Sequence, residues 1–127
     1  MFCLSERMSE QSEVLKRRTL AFAVAVLHLI DRFRHVAGAQ VVGHQVAKSA
    51  TSVGANYRAA CTARSRPEFV AKLCIVNEEA DETVYWLELA RQADYAPADS
   101  IAPLLDEAVQ LRAIFGRSLS TARRNAT

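Results

Sequence analysis

His28, Asp31 and His35 combine residue types and a spacing that could hold a metal ion. Imidazole and carboxylate groups suit zinc and related cations. On one continuous helix the three would fall within about 60° of each other. That face lies opposite the apolar arc of the same segment, so it reads as a solvated polar face and not as a metal centre. The acidic band Glu78, Glu79, Asp81, Glu82 and Glu88 is a second candidate. Di-metal carboxylate bundles take a Glu-x-x-His from each of two helices and a Glu from each of two others. No Glu-x-x-His occurs in this chain. The band therefore reads as a charged face pairing with basic residues of a neighbouring helix. The chain also lacks a Gly-rich phosphate loop, a Gly-x-Ser-x-Gly turn and any Cys–His pair of recognisable spacing. No enzymatic activity, cofactor or metal is expected. Cys3, Cys61 and Cys74 are odd in number and form no Cys-x-x-Cys. They read as thiols in a reducing compartment, the cytoplasm.

Basic residues form a third group. Lys16-Arg17-Arg18, the set Arg58, Arg64, Arg66 and Lys72, and Arg123-Arg124 are local clusters. Through Arg66 there are ten Lys and Arg against four acids; from Pro67 onward there are six against ten, which gives the net charge of +2. Halves of opposite sign packed as antiparallel hairpins largely cancel, so a monomer would bind nucleic acid weakly. A ring would repeat each cluster, and phosphate contacts accumulate steeply. Arg58, Arg64, Arg66 and Lys72 are the candidate contacts to RNA or DNA.

The elements that must position these groups are helices. The chain of 127 residues has only four Gly and three Pro, too few for the turns of an all-β protein, and suits one domain with a real core. A first helix is expected over about 9–36, stopped by Gly38. Leu15, Phe22, Val26, Leu29 and Phe33 line one face, and Ala23, Leu27 and Ile30 widen the apolar arc to about 180°, against a usual stripe of about 100°. One partner surface does not cover that, so burial from a second direction, by another subunit, is expected. A second helix over about 39–64 carries Val42, Val46, Ala50, Val53, Tyr57 and Cys61 at core spacing. Its small residues Ala47, Ala50 and Gly54 share a face and permit a close backbone approach. A third helix over about 67–93 opens with Ser65-Arg66-Pro67-Glu68, a capping box with Pro in the first turn. Phe69, Leu73, Val76, Ala80, Thr83, Leu87 and Ala90 form its seam. A fourth, over about 98–123, presents Ile101, Leu104, Ala108, Leu111, Phe115 and Ala122, with Ser100 as cap and Pro103 in its first turn. Tight connections make these an all-α, antiparallel, up-down-up-down four-helix bundle. The longest apolar run, Leu20 to Ile30, is eleven residues; a membrane span needs about 20, so no membrane partner is expected. In an antiparallel hairpin turning near Arg66, Lys48 stands level with Glu82. Asn56 stands near Val76, within reach of Glu79, and an Asn–Glu contact would fix helix register.

The run Ser49-Ala50-Thr51-Ser52-Val53-Gly54-Ala55-Asn56-Tyr57-Arg58, followed by Ala63-Arg64-Ser65, Glu68-Phe69, Lys72-Leu73 and Glu79-Ala80-Asp81-Glu82-Thr83-Val84-Tyr85-Trp86-Leu87, resembles the four helix bundle protein family. That family was first noticed in proteins encoded by intervening sequences within bacterial large-subunit ribosomal RNA genes. The chain is also similar to the accessory proteins of diversity-generating retroelements. The resemblance implies an antiparallel four-helix bundle assembling into a homopentameric ring, with no established enzymatic activity. Its retroelement relatives imply nucleic-acid and reverse-transcriptase partners. Ala47, Ala50, Gly54, Asn56, Glu79, Glu82 and Trp86 are the candidate structural and assembly residues. The chain departs from the family pattern at Ala59 and Glu78, where Glu and Lys are usual, which removes favourable charge from the hairpin that carries the match.

Overall fold

In a computed structural model, residues 6–125 are described, with side chains from Glu10 onward. Cys3 lies outside the described residues. Four helices follow one another: α1 (Glu6–Ile30), α2 (Ala37–Cys61), α3 (Arg66–Gln92) and α4 (Ala98–Asn125). Each packs on its chain neighbours, α1 also closes on α4, and the diagonal pairs do not meet along their backbones. The bundle is antiparallel: Gly43 of α2 faces Ile30 and Phe33, while Gly54, three turns later, faces Thr19. The apolar stripes expected from spacing meet inside. Phe22, Val26, Leu29, Val46, Val53, Leu73, Val76, Leu87, Ile101, Leu111 and Phe115 are all buried. Tyr57 and Phe115 reach across the diagonal, ring centroids 5.2 Å apart.

The first connection differs from expectation. The chain leaves α1 after Ile30, and α2 begins at Ala37 with Val36 as an N-cap that makes no side-chain bond. Leaving the helix lets Phe33 turn into the core beside Tyr95, centroids 6.4 Å apart. The Arg34 N–H then donates to the Tyr95 carbonyl at 2.8 Å. Gly38 is therefore no helix stop. It lies in the first turn of α2, where Tyr95 crowds the space a Cβ would take.

The other ends follow recognisable rules. At the start of α3 the Glu68 N–H donates to Ser65 Oγ at 3.2 Å. The reciprocal half of the capping box is displaced by one residue, Glu68 Oε2 accepting from the Arg64 N–H at 2.9 Å. At its end, Tyr95 N–H donates to Ala90 O and Asp94 N–H to Arg91 O, a Schellman closure. It places Asp94 in the left-handed region at φ 59°. The fourth helix begins at Ala98, two residues before Ser100, which lies in its first turn and bonds back to Pro97 O. Pro103 thus sits in the second turn, on an exposed face, where it leaves the Asp99 carbonyl without an intrahelical donor.

Candidate functional site

The small-residue face of α2 packs on α1. A Cβ at Gly54 would stand 3.0 Å from Thr19 Oγ1 and 3.2 Å from Thr19 Cβ. Thr19 holds its hydroxyl inward by donating to Leu15 O at 2.8 Å. Ala50 is fully buried and Ala47 half-buried on the same strip. At Gly54 this strip therefore makes a close helix-to-helix approach inside one chain.

The hairpin of α2 and α3 has a different register lock from the expected one. Asn56 donates to Ser52 O of its own helix at 2.9 Å and does not reach Glu79. The buried polar contact is Thr83 Oγ1 to Ser49 Oγ at 3.0 Å, with Thr83 also tied to Glu79 O at 2.7 Å. Both hydroxyls occupy core positions of their stripes, and a buried hydroxyl needs a partner. That pattern was the available signal.

The acidic band pairs mostly elsewhere than with α2. Asp81 binds Arg112 of α4 at 3.0 Å, and Glu88 binds Arg91 of its own helix. No ion pair joins Lys48 to Glu82 among the described residues. Glu79, half-buried, is held above the usual carboxylate range by burial and by repulsion from Glu82, with Lys48 opposing weakly. Trp86 stacks edge-on against Tyr85 at 4.9 Å, and its buried Nε1 has no hydrogen-bond partner. The metal-like trio is dispersed: His28 is the only one of the three still in the helix, and all are exposed. Among the described residues no three His, Cys, Asp or Glu side chains gather as ligands. Cys61 and Cys74 are free, and Arg123 Nη2 lies 3.1 Å from the Cys74 sulfur.

Antiparallel packing re-sorts the charges by height along the bundle. The end carrying the α2–α3 connection gathers Lys16, Arg17, Arg58, Arg64, Arg66, Lys72, Arg117, Arg123 and Arg124 against Glu10, Glu13, Glu68 and Glu78, while Arg18 with Glu107 and Arg112 with Asp81 pair near mid-height. The opposite end has Arg32, Arg34, Lys48 and Arg91 against Asp31, Glu79, Glu82, Glu88, Asp94, Asp99 and Asp106. The candidate contacts Arg58, Arg64, Arg66 and Lys72 all fall at the basic end, joined by Arg117 of α4, which spacing did not single out. Arg66 and Arg117 both line a cleft of about 930 Å³ whose apolar lining includes Leu15, Phe69 and Leu73. Tyr57, beside it, has its hydroxyl 3.4 Å from Ser12 Oγ, and burial pushes its pKa up to about 12.

One face has no covering inside the chain. On α1, Leu20, Val24 and Leu27 are 64%, 47% and 46% exposed, opposite the buried Phe22, Val26 and Leu29. Across the bundle, α3 and α4 border a groove of about 690 Å³ lined by Val84, Tyr85 and Leu89 with Asp81, Glu88 and Arg112.

A family profile described as 23S rRNA-intervening sequence protein matches residues 10–117. The chain belongs to that family. Among solved structures it is similar to a crystal structure of a protein of unknown function from the S23 ribosomal protein family of Bacteroides thetaiotaomicron VPI-5482. The two are 32% identical, with a TM-score of 0.76, over 86% of this chain and 97% of that one. No curated protein matches. The matched span of this intervening-sequence family member contains both the hydroxyl lock and the exposed α1 face. No helix among the described residues is long and apolar enough to cross a membrane.

Proposed function

We propose that the chain is a non-enzymatic assembly protein of the cytoplasm, a four-helix bundle that joins with copies of itself into a ring. A ring of five is what the family resemblance implies. The observation that carries this reading is the aliphatic stripe Leu20, Val24 and Leu27 left in solvent on α1. A contiguous apolar strip of this kind marks an interaction surface more often than idle exposure. Light scattering at micromolar concentration tests it. A mass several times 14.0 kDa is expected, and a monomer at all accessible concentrations overturns it.

A second reading, binding of RNA or DNA, is favoured by the segregation of basic residues to one end. Copies arranged about an axis parallel to the helices would present all their basic ends on one rim. Titration with a nucleic-acid duplex at two salt concentrations tests it. Affinity is expected to fall steeply with salt, since each neutralised phosphate releases counterions. Absent or salt-insensitive binding removes this reading without touching assembly.

A further inference from the structure

We propose that the ring interface is heterologous: the α1 ridge of one copy seats in the α3–α4 groove of the next. The inference rests on the assembly reading above and specifies its two surfaces. Along α1, Glu13, Arg17, Leu20, Val24 and Leu27 alternate at spacings of four and three, the repeat that keeps one helical seam against a partner. The aliphatic middle of this seam is convex and exposed. The groove between α3 and α4 is concave, and the Tyr85 on its lining is 58% exposed.

Height and charge select a second copy as the occupant. Arg18 reaches Glu107 and Gln110 on α4, and Arg112 of α4 reaches Asp81 on α3. At about 1.5 Å per residue, these pairs put Arg18 roughly level with Val84 and Tyr85. Leu20 to Leu27 then stand at the height of the groove's upper half, on a different side of the same molecule. Two complementary patches at one height repeat by rotation with little rise, which closes a ring and does not wind a filament. At the lower edge of the ridge, exposed Arg17 has no ion-pair partner among the described residues. At the matching edge of the groove, the Asp81 side chain is 68% exposed despite its bond to Arg112. A neighbouring α1 running in the same direction brings these two together.

The test uses the chain in two forms. A ridge variant, Leu20→Glu with Val24→Glu, spoils one half of the contact; a groove variant, Tyr85→Glu, spoils the other. All three positions are exposed, so helicity by circular dichroism is expected to be unchanged. Each variant alone is expected to run near the 14.0 kDa monomer by light scattering, and the two mixed are expected to form a dimer of twice that mass. Only a heterologous contact gives that complementation. The inference is overturned if either variant keeps the parent oligomer, or if the mixture stays monomeric. Should a variant lose its helicity, the charge exchange serves instead. Arg17→Asp and Asp81→Arg each shift the oligomer toward monomer, and the doubly exchanged chain recovers it; no recovery overturns the proposal. A parent chain that is itself monomeric removes the assembly reading as well, whereas an oligomer indifferent to all these changes removes only the ridge-and-groove contact.

Discussion

Two helical glycines give opposite predictions for the same substitution. Gly54→Ala gains about 1 kcal/mol of helix propensity. It also places a methyl 3.0 Å from Thr19 Oγ1, 3.2 Å from Thr19 Cβ and 3.6 Å from the Thr19 backbone carbonyl carbon. Rotation of Thr19 moves its hydroxyl but neither of the other two atoms, so α1 and α2 must separate by a few tenths of an ångström. Overpacking of this kind costs roughly 1–3 kcal/mol. Moving the hydroxyl would also break its bond to Leu15 O. The net expectation is destabilisation by about 1 kcal/mol. Gly116→Ala gains the same propensity and meets only Asn77 Oδ1 at 3.6 Å, ordinary contact. It is expected to stabilise by up to about 1 kcal/mol. Urea unfolding at one fixed protein concentration measures both, because any self-association would make apparent stability depend on concentration. The gap of about 2 kcal/mol is the quantity of interest. If the two variants are equally stable, the close approach of α1 at Gly54 is not limiting and the reasoning fails. A Thr19→Ala background removes the nearest atom, and it should restore part of the Gly54→Ala loss.

The remaining predictions concern single contacts. Thr83→Val leaves the Ser49 hydroxyl without its cross-helix partner and should cost about 1–2 kcal/mol, while Ser49→Ala with Thr83→Val together should cost much less, read by the same unfolding assay. Ser65→Ala removes the acceptor of the Glu68 N–H and should cost about 1 kcal/mol. Asp94→Gly relieves a left-handed residue and should stabilise by several tenths of a kcal/mol or more. Raising pH should weaken the fold above about pH 10: the unfolded chain releases the Tyr57 proton there, whereas the folded chain holds it until about 12, so the stability lost between them is roughly 3 kcal/mol. Ultraviolet titration should show one tyrosinate appearing near pH 12, absent in Tyr57→Phe.

Much of this molecule was legible from spacing alone because its core obeys a single rule. Residues three and four apart share a helix face, and the stripes so defined on α2, α3 and α4 are buried except at Cys61, Phe69 and Leu104, which are half-buried at their edges. The failures arise where local chemistry competes with that rule. Phe33 continues the α1 stripe in sequence, yet it is buried by leaving the helix, because the chain there can bond to the Tyr95 carbonyl. That departure dissolves the His28, Asp31 and His35 face, which existed only on an unbroken helix. A period names a face and not the neighbour that covers it, and at Gly54 that neighbour is Thr19 of α1. Asn56 and Glu79 lie at suitable heights on α2 and α3, but the Asn56 amide satisfies itself on its own helix.

Glu79 tests how far the polar hairpin is structural. Its carboxyl is held above the ordinary range, by burial first and by Glu82 second. A carboxylate raised on folding binds its proton more readily in the native chain than in the unfolded one. The native state is thus favoured as pH falls through the interval between the two pKa values, and charge at neutral pH works against the fold. Glu79→Gln should therefore be as stable as the parent or more so at neutral pH, and should flatten the mildly acidic part of the stability profile. If the carboxylate instead serves as a fixed partner for a cation or an amide, Glu79→Gln destabilises at neutral pH and the slope keeps its opposite sign. Unfolding measured at several pH values on parent and variant separates these outcomes. The first outcome would make the Glu79 charge a net cost to the fold, with burial and repulsion from Glu82 outweighing the attraction of Lys48.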